Sequence, residues 1–126
     1  PDESVLYVAD TGLSHVGRAC PPVIRAYPMT ADGTTVVGHS TVFATCANGA
    51  FDGFRVGVDG TIWASAADGV HCLVPDEDAA GGSTLVGKIL LPEVVANVGF
   101  GGLKRNRLYL CATTSLFAVF LDTRAA

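Results

Sequence analysis

The sequence predicts an all-β fold built from about three four-stranded blades of a β-propeller. Short runs of β-branched and aromatic residues alternate with turn signals, and no stretch of twelve residues has a helical period. The aromatic residues Tyr7, Trp63 and Tyr109 each stand inside such a run, 56 and 46 residues apart. A repeat of about 40–50 residues made of short strands is typical of propeller blades.

Each predicted strand is a short run rich in Val, Ile, Leu, Phe or Tyr, and turn residues such as Asp-Gly separate the runs. The turns are 31–34, 58–61, 67–69 and 104–106. In chain order, we expect strands at 5–9, 23–27, a region formed by 35–37 and 42–44, then 54–56, 61–64, 70–74, 85–89, 98–100, 107–110 and 116–120.

Three blades are too few to close a ring, since propellers usually have four to eight. Asp52 and Asn97 enter their blades eleven and twelve residues before the aromatic residue of the blade. The same distance before Tyr7 lies upstream of the first residue. We therefore expect the chain to begin in the middle of a blade, just after its innermost strand, and the other blades to come from elsewhere.

Composition and charge exclude several classes of protein. Hydrophobic residues make up 49% of the chain and charged residues 16%, which excludes intrinsic disorder. The net charge is −4 and the eight Lys and Arg residues form no basic stripe, so we expect no nucleic-acid partner. No apolar run approaches the roughly 18 residues of a membrane helix, so we expect no membrane partner. The mean hydropathy of +0.41 fits either a surface that another part of the protein covers or a dense β-sandwich core.

The cysteine pattern excludes a structural zinc site, because there is no CxxC pair and no histidine at zinc-finger spacing. Two disulfides and four buried thiols both remain open, so the cysteine content does not fix the cellular compartment. We expect a cytoplasmic protein, with secretion or a periplasmic location as the alternative. The four cysteines of the chain are Cys20, Cys46, Cys72 and Cys111.

Four motifs follow one another in order: residues 6–11, the segments 51–54 and 58–64, Leu91-Pro92 leading to 97–102, and Leu108-Tyr109. This series extends over nearly the whole chain and resembles the C-terminal half of the gluconolactonase and regucalcin-like (senescence-marker protein) family. The resemblance implies a six-bladed propeller with one divalent metal ion in its central channel, and hydrolysis of a sugar lactone or similar cyclic ester. Residues 1–126 are then expected to be the C-terminal half of one propeller domain, with the absent N-terminal half as its companion.

The resemblance assigns one metal ligand to this chain. The family holds its metal with a Glu from the first blade, an Asn from the middle of the ring and an Asp in a Pro-Asp-Gly-like motif. Asp52 in Phe51-Asp52-Gly53-Phe54 matches that Asp, with Phe51 in place of the usual Pro. The segments that carry the Glu and the Asn are absent from the sequence. Asp52 is therefore the residue for which the resemblance implies both metal binding and catalysis.

The residues themselves support the same choice for Asp52. It stands at the entry of a predicted innermost strand, which lines the channel of a propeller, and its carboxylate is a hard oxygen ligand that also accepts protons. The alternative is a turn Asp that bonds its own backbone. Asn97 occupies the equivalent place in the next blade, 45 residues on, and is a candidate for binding substrate. For Asn97 the alternative is a side chain that satisfies backbone groups at the strand end.

The other residues that stand out receive structural interpretations. Asp10, Asp59 and Asp68 are interpreted as turn residues, and the repeated aromatic residues are predicted to pack between blades. No catalytic role is expected for the three histidines, and a group of glycines is expected to allow close backbone packing. The histidines are His15, His39 and His71, and the glycines are Gly99, Gly101 and Gly102.

The expected function is metal-dependent hydrolysis of a small sugar lactone or related cyclic ester, with this chain contributing half of the site. The ion is expected to be Ca²⁺ or Zn²⁺, with Mg²⁺, Mn²⁺ and Fe²⁺ as further options, because one carboxylate does not discriminate among them. As an isolated fragment the chain is expected to be inactive. Two alternatives keep the fold: a hydrolase of organophosphates or aryl esters, and a propeller that binds a ligand without catalysis.

Overall fold

The structure, a computed structural model, describes residues 2–12, 20–76, 78 and 81–126. These residues form ten β-strands, and no helix in these ranges is long and apolar enough to cross a membrane. The all-β prediction is confirmed. The strands are β1 (Val5–Asp10), β2 (Val23–Pro28), β3 (Thr41–Thr45), β4 (Phe54–Val56), β5 (Ile62–Ala66), β6 (Gly69–Asp76), β7 (Gly82–Leu90), β8 (Val95–Gly101), β9 (Arg107–Ala112) and β10 (Leu116–Phe120).

The ten strands form three antiparallel sheets, each a meander of strands that are consecutive along the chain, and we call these sheets blades. Blade 1 has the order β1-β2-β3, blade 2 the order β4-β5-β6-β7 and blade 3 the order β8-β9-β10. The described strands do not close a ring. This architecture confirms the prediction of a partial propeller, with one complete four-stranded blade between two three-stranded ones.

One predicted strand segment is wrong. Residues 35–37 form no strand, since only Val36 pairs, in an isolated bridge, and the third strand of blade 1 is Thr41–Thr45. The glycines on either side, Gly33 and Gly38, have φ angles of 67° and 80°, a left-handed conformation that interrupts strands. The segment is therefore part of a turn that continues beyond β2.

Most strands are longer than predicted, and the largest additions are in β7 and β8. β7 and β8 each begin three residues early, at Gly82 and Val95. The added residues include Gly, Ser, Ala and Asn, which have low strand propensity, but their partners in β6 and β9 hold them in the sheet.

The hydrophobic core lies between the blades. Side chains alternate along each strand, so one face of blade 2 packs against blade 1 and its other face against blade 3. Ile24 and Ile62 are fully buried in the first of these contacts, and Leu108 and Leu110 in the second. Removing such a side chain from water contributes about 1.5–3 kcal/mol. This packing brings β4 and β8, the first strands of blades 2 and 3, next to each other.

The repeated aromatic residues share the same face of their blades. Tyr7 joins the core between blades 1 and 2, with its ring centre 4.8 Å from that of Phe43, and Trp63 joins the core between blades 2 and 3. Tyr109 alternates with the buried leucines of β9, so it lies on the face of blade 3 that points away from blade 2. The predicted packing between blades is observed for Tyr7 and Trp63, whereas Tyr109 meets no further blade within the described ranges.

The four cysteines are free thiols, so of the two alternatives left open by the sequence the structure has the reduced form. Burial raises the pKa of the Cys46 and Cys72 thiols above the usual value, which keeps both protonated at neutral pH. They therefore pack as small hydrophobic side chains.

Candidate active site

Asp52 lies two residues before β4, the first strand of blade 2. Hydrogen bonds to β5 fix its backbone: the Asp52 N–H donates to Ser65 O at 3.2 Å, and Gly53 O accepts from Ser65 N at 2.9 Å and from Ser65 Oγ at 2.8 Å. The residue before Asp52, Phe51, is buried in the core, where it is only 2% exposed. The Asp52 side chain is exposed, and within the described ranges no group donates a hydrogen bond to its carboxylate. A fixed backbone thus presents a carboxylate that has no hydrogen-bond donor among the described residues.

The start of β8 lies against the same segment. The Gly53 N–H donates to Ala96 O at 2.9 Å, which joins blade 2 to blade 3 at this end. The Asn97 side chain covers Gly53 so closely that a Cβ on Gly53 would lie 2.0 Å from Asn97 Oδ1. The two candidate site residues, Asp52 and Asn97, are therefore at the same end of neighbouring blades, 45 residues apart in sequence.

The Asn97 side chain is exposed, and its Oδ1 accepts a hydrogen bond from the Val98 N–H at 2.9 Å. This contact satisfies a backbone group of β8, which is the structural role that the sequence left open for Asn97. It leaves the two N–H groups of Nδ2 for other partners. Substrate binding by Asn97 stays a prediction.

A cavity of about 360 Å³ opens beside Asp52. This volume lies within the usual range for small-molecule sites, about 300–1,000 Å³. Of the described residues that line it, Asp52 alone is ionisable, and most of the others are small and apolar. The other lining residues are Thr11, Ala50, Phe51, Ala66, Ala67, Val94, Val95 and Ala96.

Asp52 suits one position in a metal site but does not complete one. A carboxylate without other partners is the oxygen ligand that divalent cations such as Ca²⁺ prefer. Among residues 2–12, 20–76, 78 and 81–126, no three His, Cys, Asp or Glu side chains lie close enough together to hold an ion. The described residues therefore supply one ligand position, and the metal itself stays a prediction.

A charged cluster behind the cavity was not recognised in the sequence. Asp68, in the turn between β5 and β6, accepts hydrogen bonds from Lys88 Nζ and from His71 Nε2, both at 2.7 Å. These two donors lower the pKa of Asp68 to about 2. His71 is 2% exposed, and its ring stands perpendicular to that of Phe51, with 5.4 Å between the ring centres. The one sequence signal for this cluster is a histidine at a buried strand position two residues after an Asp-Gly turn.

The other polar residues have structural contacts. Asp10 accepts hydrogen bonds from the Gly12 N–H and from Arg25 Nε, and Asp59 accepts one from the Thr61 N–H, as in turns. His39 lines a separate cavity of about 370 Å³ between blades 1 and 2, and His15 lies outside the described residues.

A family model described as "SMP-30/Gluconolactonase/LRE-like region" matches residues 1–114. The chain belongs to this family. The match covers the inner strands of blades 2 and 3 and both candidate site residues. No curated protein matches the chain.

Two solved structures share the fold. One is a structural-genomics X-ray structure of a protein provisionally assigned as a gluconolactonase, with 34% identity, a TM-score of 0.74, and coverage of 96% of this chain and 36% of that one. The other is a luciferin-regenerating enzyme, with 15% identity, a TM-score of 0.72, and coverage of 98% of this chain and 43% of that one. The chain thus spans less than half the length of each. At 15% identity, the second likeness concerns the fold alone.

Proposed function

We propose that the chain provides half of the active site of a metal-dependent lactonase, in which Asp52 is the acting carboxylate. The observation that carries the proposal is the free carboxylate of Asp52 at a small cavity, in a chain of the gluconolactonase family. The substrate is a small sugar lactone or a related cyclic ester. Opening it requires a water to attack the ring carbonyl and the ring C–O bond to break, which yields a hydroxy acid.

Asp52 has two tasks in this proposal. As an anionic oxygen ligand it holds one divalent ion, Ca²⁺ or Zn²⁺ foremost, together with ligands from the companion half. When bound, such an ion would polarise the ring carbonyl and favour deprotonation of the attacking water. Asp52 also accepts a proton from that water, a general-base contribution of about 10²–10⁴ in rate. The Asn97 Nδ2 group donates a hydrogen bond to the substrate from the neighbouring blade.

The companion is the N-terminal half of the same propeller, and the uncovered faces of blades 1 and 3 support it. Tyr109 stands where Tyr7 and Trp63 stand in the preceding blades, on the face that meets the next blade. Beside it on β10, Leu116 and Phe120 are 67% and 74% exposed. Apolar surface of this kind on a folded domain usually marks a contact with another segment.

A cytoplasmic location is part of the proposal. The four free thiols support it, since thiols persist in a reducing compartment. Mass measurement after alkylation of the freshly isolated protein under denaturing conditions is expected to find all four cysteines of residues 1–126 modified. A native disulfide would instead favour a secreted or periplasmic protein.

The decisive test removes the carboxylate in the complete protein. We expect Asp52→Ala and Asp52→Asn to lower lactone hydrolysis by at least about 100-fold and to abolish tight binding of one divalent ion. The matched control is Asp122→Asn, which removes an exposed carboxylate at a separate cavity lined by residues that follow β4, and it should change neither. An Asp52→Ala protein with full turnover and bound metal would exclude Asp52 from the site.

A second candidate keeps the site but changes the ester. Ala50, Ala67 and Val94 give the cavity an apolar wall, which favours an aryl ester or organophosphate over a hydroxyl-rich ring. A substrate panel of gluconolactone, an alkyl lactone and an aryl ester separates the two by kcat/KM. Absence of both metal binding and hydrolysis in the complete protein would instead support a ligand-binding propeller without catalysis.

A further inference from the structure

We propose that His71 is a positioning residue for Asp52, acting through the ring of Phe51. The catalytic consequence rests on the function proposed above, whereas the structural coupling stands on contacts of this chain alone. His71 does not line the cavity beside Asp52. It touches the residue that precedes Asp52 and is itself held in one orientation by Asp68.

The orientation of the imidazole follows from the charge of Asp68. With a pKa of about 2, Asp68 is ionised in neutral solution, and an ionised carboxylate can only accept hydrogen bonds. His71 Nε2, 2.7 Å from Asp68 Oδ1, therefore carries a proton and donates it to this bond. Lys88 Nζ holds the second oxygen of Asp68 at 2.7 Å, so the carboxylate cannot rotate away from the histidine. A partner that fixes tautomer and ring plane in this way is typical of histidines at functional sites.

The oriented ring then meets Phe51. The two ring planes are perpendicular with centres 5.4 Å apart, the edge-to-face arrangement that aromatic pairs prefer. Both side chains are 2% exposed, so neither ring has free space in which to turn. Three elements of blade 2 thus form one series of contacts that ends at Phe51: Lys88 from β7, Asp68 from the β5–β6 turn and His71 from β6.

Phe51 needs such an anchor because its side chain does not itself restrict the backbone. A proline at this place would restrict the backbone by its ring, and phenylalanine has no such restriction. Its backbone orientation therefore depends on side-chain contacts. Asp52 follows immediately, and its own carboxylate has no hydrogen-bond donor within the described ranges, so the position of the carboxylate depends on that of residue 51. A displacement of about 1 Å of a catalytic group can lower turnover about 100-fold.

The experiment compares wild type, His71→Leu, His71→Gln and Asp68→Asn in the complete protein. For His71→Leu we expect kcat to fall about 10–100-fold with KM changed less than about threefold, since the cavity wall is untouched. Exchange of the Asp52 and Gly53 amide hydrogens, measured by NMR, should accelerate about tenfold or more. His71→Gln places a donor near the position of Nε2 but lacks the ring that meets Phe51, so it should restore only part of both properties. Asp68→Asn should show the same changes more weakly.

Leu108→Ala is the control for general destabilisation, because Leu108 is fully buried between blades 2 and 3 and does not contact Phe51. It should leave kcat unchanged. The exchange rates of the Asp52 and Gly53 amides should change no more than those of the rest of the chain. If His71→Leu behaves like Leu108→Ala, or His71→Gln gives no rescue, the positioning role is wrong. If no variant, wild type included, hydrolyses lactones, the proposed function fails, and amide exchange still decides whether His71 orders residue 52. If His71→Leu does not fold, Asp68→Asn and His71→Gln carry the same comparison.

Discussion

The contact between Gly53 and Asn97 makes Gly53→Ala the sharpest test of the site geometry. Gly53 links the two blades at this end, since its N–H donates a hydrogen bond to Ala96 O and the Asn97 side chain packs directly against its Cα. An added methyl group has no room there. We therefore expect a single methyl to disturb both the stability of the protein and the relative placement of Asp52 and Asn97.

The magnitude follows from three distances. The new Cβ would lie 2.0 Å from Asn97 Oδ1, 2.4 Å from its Cγ and 2.9 Å from its Cα, whereas ordinary contacts are 3.4–4 Å. The side chain can swing away, at the loss of the Oδ1 bond to the Val98 N–H, which costs about 1 kcal/mol. The Cα is backbone, so the start of β8 must also move by about half an ångström, and such overpacking costs about 1–3 kcal/mol. Together we expect a loss of about 2–4 kcal/mol.

The assay is urea unfolding of the complete protein, with turnover measured alongside. A loss of this size leaves a domain of ordinary stability, about 5–15 kcal/mol, still folded. Gly99→Ala and Gly87→Ala are matched controls, because a Cβ at either glycine meets nothing within 4 Å. They should change stability by less than about 0.5 kcal/mol. Asn97→Gly combined with Gly53→Ala should recover part of the loss, which a double-mutant cycle measures.

Equal stability of Gly53→Ala and Gly99→Ala would refute the reasoning, because the two substitutions differ only in what the new methyl group meets. The same result would show that the Asn97 side chain does not pack against Gly53, and it would remove the structural basis for placing Asp52 and Asn97 in one site.

Two further predictions concern pH and association. The pKa of Asp68 is about 2 in the folded protein against an ordinary 3.8, so its bonds stabilise the fold above about pH 4, and this stabilisation is lost as the pH falls from 4 to 2. The shift corresponds to about 2.4 kcal/mol, which we reduce to about 1 kcal/mol because the Asp68 side chain is 22% exposed. In urea unfolding at pH 6 and pH 3, Asp68→Asn should lack this pH dependence of stability. An unchanged pH dependence in the variant would contradict the assignment. Expressed alone, the 126-residue chain should self-associate through its uncovered apolar faces and fail to hydrolyse lactones, whereas Phe120→Lys should lower the mass found by light scattering. A monodisperse, active wild-type monomer would contradict both the companion and the half-site.

The blade architecture could be predicted because its signals are local. Asp-Gly turns and runs of alternating apolar residues define hairpins within a few residues of each other, and the aromatic repeat places the hairpins in equivalent positions. The failure at 35–37 has the same origin. Two valines there satisfy a local strand pattern, but Gly33 and Gly38 adopt positive φ angles that no pattern of apolar residues reveals.

The contacts that build the site could not be predicted, because their partners are distant in sequence. Asp68 bonds Lys88 from 20 residues away, and Asn97 covers Gly53 from 44 residues away across two blades. The motif alone indicated Asp52, and the repeat alone indicated that Asn97 occupies the same place in the next blade. Their proximity depends on how blades 2 and 3 pack. The placement of Lys88 beside Asp68 depends on the register of β6 with β7, in which His71 pairs with Lys88.

The shortness of β4 explains why the site depends on neighbouring blades. With three residues, Phe54–Val56, this strand has too few ladder bonds to hold its own ends. At its start, the Gly53 N–H bonds Ala96 O of blade 3, and past its other end the Val58 N–H bonds Arg124 O at 3.0 Å. Both ends are therefore fixed by backbone from the segment that includes and follows β8. The position of Asp52 therefore depends on these backbone bonds to the segment that includes and follows β8, and a substitution that breaks either bond should affect the carboxylate without contacting it.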